Sequence, residues 1–193
     1  LFILLGSGVT AEQTAAEDQI SPRLTVFISD LHFGVGRDPK NLTMWHPMED
    51  FRWQDEFSKF LSFLKEKGNG NTDLILNGDT FELWRSLEKD CTYKNADLGC
   101  SESEVLKRIQ RVMRQHQPEL TELAAFAKSV NNRIYIIPGN HDAALLFRNV
   151  WDEVARAIAV PGKVHLQVNG GWRIPQDGPV YAEHGHQIGK DVN

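Results

Sequence analysis

No apolar run in this chain approaches the ~18–20 residues that cross a bilayer, so a membrane-spanning helix is excluded. Basic residues do not predominate either. The 21 Lys and Arg are outnumbered by 26 Asp and Glu, for a formal charge of −5. That balance gives no broad cationic surface for gripping phosphate backbones and disfavours nucleic acid as a partner. It leaves phosphate chemistry open, because bound cations would reverse the local field. Cysteine is scarce, and Cys91 and Cys100 alone lack the partners that a structural zinc site needs. In an oxidising compartment the pair could close a small loop; in the cytosol they would be two free thiols. Internal repeats, low-complexity segments and a glycine-rich phosphate loop are absent. There is no Met at position 1. What remains is an ordinary globular composition, 41% hydrophobic and 24% charged over 193 residues, which suits one domain or one domain with an insertion.

The chain opens Leu1-Phe2-Ile3-Leu4-Leu5, then small residues to Ala11, then a polar stretch to Pro22. Residues 1–22 read as a truncated signal peptide and polar leader, the alternative being a short buried strand. With the two cysteines, this favours an exported protein, periplasmic or secreted, over a cytoplasmic one. Asn41-Leu42-Thr43 matches the glycosylation acceptor pattern, a match short enough to arise by chance.

Four short apolar runs follow the leader: Leu24–Ile28, Leu74–Leu76, Ile134–Ile137 and Val180–Ala182. Their length predicts buried strands. Between them, Phe51–Leu64 carries apolar residues near three- and four-residue spacing, with Gly68 just beyond. Ser101 and Glu104 form a capping box ahead of Val105, Ile109 and Val112. Further helices are predicted from Pro118 and over Ala143–Ala157. Strands alternating with helices predict an α/β fold with parallel pairs. The stretch Arg85–Cys100 has no clear period and reads as a surface excursion.

The informative residues come directly after each apolar run. They are Asp30-Leu31-His32, Gly78-Asp79, Gly139-Asn140-His141-Asp142, and Glu183-His184-Gly185-His186. In open α/β sheets, ligands bind beyond the carboxyl ends of the strands, so these groups should share one region. Hard oxygen and imidazole donors without thiolate suit Mn, Fe, Zn or Mg. Each motif alone is weak, Gly78-Asp79 being a common turn dipeptide. Agreement of order, placement and ligand type is what carries the reading.

Together, Asp30-Leu31-His32, Gly78-Asp79-Thr80-Phe81-Glu82, Gly139-Asn140-His141-Asp142 and His184-Gly185 resemble the calcineurin-like metallophosphoesterases, from about Leu24 to the end of the chain. The resemblance implies two mixed β-sheets packed as a sandwich flanked by helices, in a domain over residues 23–193, and two divalent metal ions at the strand ends. By it, Asp30 and His32 hold the first metal, Asp79 bridges both, and Asn140 and His184 hold the second. His141, held by Asp142, sits beside the leaving group. The family's later Gly-His-x-His motif has no counterpart, so the domain is expected to be C-terminally incomplete. His186 is carried as a substitute or supporting ligand.

Two cations about 3.5–4 Å apart can hold a bridging hydroxide at neutral pH and polarise phosphoryl oxygens. The expected activity is therefore hydrolysis of a phosphoester or pyrophosphate bond by that hydroxide. The substrate would be a phosphorylated small molecule or a phosphodiester, and oligomeric state is not legible. The alternative is a non-catalytic metal-binding or partner-binding domain that retains the fold. Met44–Pro47 and Phe81–Trp84 either line a substrate wall or cover the core beneath the loops.

Overall fold

The computed structural model describes residues 23–38, 40–84, 101–173 and 180–188. The leader and both cysteines lie outside the described residues. The strands are β1 (Leu24–Ile28), β2 (Arg37–Asp38), β3 (Asn41–Trp45), β4 (Thr72–Asn77), β5 (Arg133–Ile137), β6 (Val164–Leu166), β7 (Gly171–Arg173) and β8 (Tyr181–Glu183). The helices are α1 (Gln54–Lys67), α2 (Glu102–Gln115), α3 (Gln117–Ala127) and α4 (Arg148–Ile158), with a 3₁₀ turn at Ala143–Leu146.

One sheet runs β1-β4-β5-β6, every pair parallel, in registers that match Val26 to Leu74, Leu74 to Ile134, and Ile134 to Val164. Parallel neighbours need crossovers. Helix α1 lies between β1 and β4, α2 and α3 between β4 and β5, and α4 between β5 and β6. The two-residue period of a strand then sorts the apolar runs onto two faces. Leu74, Leu76, Ile134 and Ile136 enter the main core with helix residues such as Leu61, Ile109, Leu123 and Val154. Ile75 and Ile137 face the other way and meet Trp172, Tyr135 and Ala182.

Trp172 and Ala182 belong to an antiparallel pair, β7–β8, on that second face. The predicted strand Val180–Ala182 is therefore β8, outside the parallel sheet. The molecule is mixed α/β with parallel and antiparallel sheets and flanking helices, as expected; among the described residues the parallel pairs form one sheet and the antiparallel pairs two others. A further antiparallel pair, β2–β3, rises after β1. Among the described residues no helix is long and apolar enough to cross a membrane.

Helix α1 starts at Gln54 rather than Phe51, since Trp53 just before it is non-helical (φ −115°, ψ 50°), and the Phe51 amide donates to the Glu49 side chain (3.0 Å). The predicted helix over Ala143–Ala157 is split, since Phe147 is extended (φ −74°, ψ 125°) between the 3₁₀ turn and α4. Ser101 does cap α2, its Oγ accepting from the Glu104 amide at 3.3 Å. Ser101→Ala should therefore cost about 1 kcal/mol, read by urea unfolding, with no change in metal binding.

Candidate metal centre

The site lies where β1, β4 and β5 end. Beyond their last residues the first two strands stay side by side: the Asp30 amide donates to Gly78 O (3.2 Å), His32 to Asp79 O (2.9 Å) and Phe33 to Thr80 O (2.9 Å). Three candidate ligands, Asp30, His32 and Asp79, have left-handed backbones, with φ of 57°, 48° and 52°. Non-glycine residues rarely adopt this region, at a cost of about 1–3 kcal/mol each, and such strain concentrates at functional sites.

The third loop is tied to the second. The His141 amide donates to Asp79 Oδ1 (2.9 Å) and the Leu83 amide to His141 O (3.1 Å). Asp142 is fully buried, and its carboxylate accepts from the amides of Gly139 (2.6 Å), Thr80 (2.8 Å) and Phe81 (3.2 Å). Burial pushes its carboxyl up to about 6, against the pull of those three N–H groups. It clamps the β4 and β5 loops together.

The β8 end is brought in by Asn77. Its Nδ2 donates to Glu183 O (3.1 Å), and its own carbonyl lies 2.9 Å from His184 Nδ1. A carbonyl can only accept, so Nδ1 of His184 carries a proton, and Nε2 faces Asp79 Oδ2 at 3.1 Å. Gly78 is required beneath this ring: a Cβ there would lie 2.2 Å from it, and φ is +87°.

These contacts assemble two groups whose ligand atoms lie within 4.8 Å of one another: His32, Asp79 and His141, and Asp30, Asp79 and His184. Asp79, buried at 3% exposure, is common to both. Asn140 is half-buried in the turn between Gly139 and His141. His186 lies against His184, ring centroids 5.5 Å apart, but belongs to neither group. Burial and then the His184 charge push its pKa down.

The expectation that Asp142 holds His141 is corrected: the carboxylate on His141 Nδ1 is Glu82, at 2.7 Å. Side chains of adjacent residues diverge, and Asp142 points into the core. The same Glu82 oxygen, Oε2, faces His32 Nδ1 at 3.3 Å. Burial alone would push the Glu82 carboxyl up, but the bonds from His141 and then His32 outweigh it and hold it down at about 2. The Glu82 bond raises the His32 pKa in turn. In the sequence, Glu82 stands inside Gly78-Asp79-Thr80-Phe81-Glu82 with nothing that marks a role for it.

The residues fit a pair of hard cations. The donors are carboxylate and imidazole. Among the described residues no Lys or Arg forms an ion pair with Asp30, Asp79 or Glu82, and the charge of Arg108 reaches Glu82 only from beyond ion-pair distance. Glu82 Oε1 is buried without a hydrogen-bond partner. Comparison with curated proteins and with solved structures finds no match. Residues 24–192, however, match the family model for calcineurin-like phosphoesterases. That match covers most of the chain, which belongs to the calcineurin-like phosphoesterases.

Proposed function

We propose that the chain is a metal-dependent hydrolase of a phosphoester or diphosphate bond, with Asp30, His32, Asp79, Asn140 and His184 holding two divalent cations. The observation that carries the reading is Asp79 shared between two ligand groups, as a carboxylate must be if it is to keep two repelling cations together. Such cations, when bound, activate water and neutralise charge on phosphoryl oxygens.

The chain's own residues supply the rest. His141 donates a proton or hydrogen bond to the leaving oxygen, a contribution of typically ~10²–10⁴-fold. Glu82 fixes its orientation through Nδ1, leaving Nε2 for that work. Asp142 holds Gly139 and Thr80 together, and so sets the spacing between His141 and Asp79. The substrate is a phosphorylated small molecule or phosphodiester.

Purified protein given Mn²⁺ should hydrolyse p-nitrophenyl phosphate or its bis ester, and lose that activity to a chelator. Activity indifferent to both the chelator and Asp79→Ala would refute the reading. Fewer than two ions per chain with no turnover would favour a binding domain that retains the fold.

A further inference from the structure

Trp84 is the feature the hydrolase reading leaves unexplained. A large aromatic is worth most when buried, yet Trp84 is 42% exposed. It is nonetheless firmly placed. Its neighbour Leu83 is buried, donates its amide to His141 O at 3.1 Å, and gives its carbonyl to the buried guanidinium of Arg108. The backbone that presents Trp84 is thus held to the loop bearing His141 on one side and to α2 on the other.

The Trp84 ring meets the His141 imidazole at 4.8 Å between centroids, steeply inclined at 68°. Among the described residues it makes no other ring contact. The turn that follows His141 leaves two more apolar side chains in solvent, Leu146 at 55% and Phe147 at 46% exposure. An exposed aromatic ring held against a polar centre offers a ligand a flat apolar surface.

From this placement we infer that Trp84 is a specificity-determining residue that stacks on the leaving group of the substrate, and that the preferred substrates are phosphoesters whose leaving group is a planar aromatic ring. The inference rests on the proposed function, because it takes His141 to mark the leaving-group side. A rigid exposed ring beside His141 offers a flat apolar leaving group a partner that a small alkyl group cannot use.

The test compares wild type, Trp84→Ala and Trp84→Phe, each loaded with Mn²⁺ and checked for unchanged metal content and melting temperature. Calorimetry measures binding of phenylphosphonate and methylphosphonate, which share the anionic head and cannot be hydrolysed. Trp84→Ala should weaken phenylphosphonate about tenfold, within the range of one aromatic stack, while methylphosphonate changes by less than about twofold. Trp84→Phe should retain most of the selectivity. Turnover should follow, with the kcat/KM ratio of p-nitrophenyl phosphate to glycerol 3-phosphate falling in Trp84→Ala through KM rather than kcat. Equal losses on both phosphonates, or a wild type with no preference for the phenyl compound, would overturn the inference. Selective binding without turnover in any variant would overturn the hydrolase reading, and the leaving-group role with it, and would leave Trp84 only as the contact for a planar ring.

Discussion

Asp79→Asn is expected to remove both cations at once and to lower kcat/KM by about 10³-fold or more, since metal-ion catalysis supplies several kcal/mol and each 1.36 kcal/mol is a decade. The substitution is nearly isosteric, and Asn tolerates the left-handed backbone found there (φ 52°). Its carbonyl oxygen can still accept the His141 amide that Oδ1 accepts now, at 2.9 Å. What it loses is charge, at an oxygen that faces His184 Nε2 at 3.1 Å and His32 Nε2 at 3.9 Å. The sharing makes a sharper forecast than activity alone. His184→Gln removes a ligand from one group and should leave about one cation per chain, whereas Asp79→Asn should leave none. Elemental analysis of the dialysed proteins decides the matter, with thermal unfolding as the control for folding. One ion retained by Asp79→Asn would mean that Asp79 is not shared.

Much of this centre is legible in the sequence because parallel strands are buried on both faces. They appear as unbroken apolar runs, and any polar residue directly after one is conspicuous. Asp30, His32, Asp79, Asn140 and His141 stand out that way, whereas His184 follows a short apolar run that belongs to antiparallel β8. The residues that evade such reading act through packing. Glu82 reaches two imidazoles only because the chain beyond β4 stays paired with the chain beyond β1, at the Phe33–Phe81 bridge, which buries a carboxylate between Phe81 and Leu83. Asp142, next to His141 in sequence, reads as its natural partner in a linear motif. The turn sends its side chain inward, where three amides need an acceptor. Strands β2, β6 and β7, two or three residues each, are too short to show a period.

Stability should fall as pH rises from about 6.5 through 9, by about 3 kcal/mol, and His116→Gln should abolish that dependence. His116 sits buried at the α2–α3 junction with Nε2 3.1 Å from Glu49 Oε2 and Nδ1 3.5 Å from Glu119 Oε2, the second an ion pair rather than a hydrogen bond. Burial pushes its pKa down, but Glu119 and Glu49 more than reverse this and raise it to about 9. A folded pKa above the unfolded value of 6.5 means that the native state holds its proton more tightly. The stabilisation is therefore complete below about pH 6.5 and fades as pH passes 9. The difference 9 − 6.5, at 1.36 kcal/mol per unit, sets the size as an upper bound. Urea unfolding across this range, wild type minus His116→Gln, isolates the group from other titrations; parallel curves would refute the assignment. The consequence reaches the metal centre. Glu49 also accepts from the amides of Gly36 (2.7 Å) and Phe51 (3.0 Å), and the His116 ring stacks on Phe33 at 4.7 Å, one residue from His32. Deprotonating His116 leaves two buried carboxylates without their cation, and one of them, Glu49, fastens the segment that carries His32 into the site.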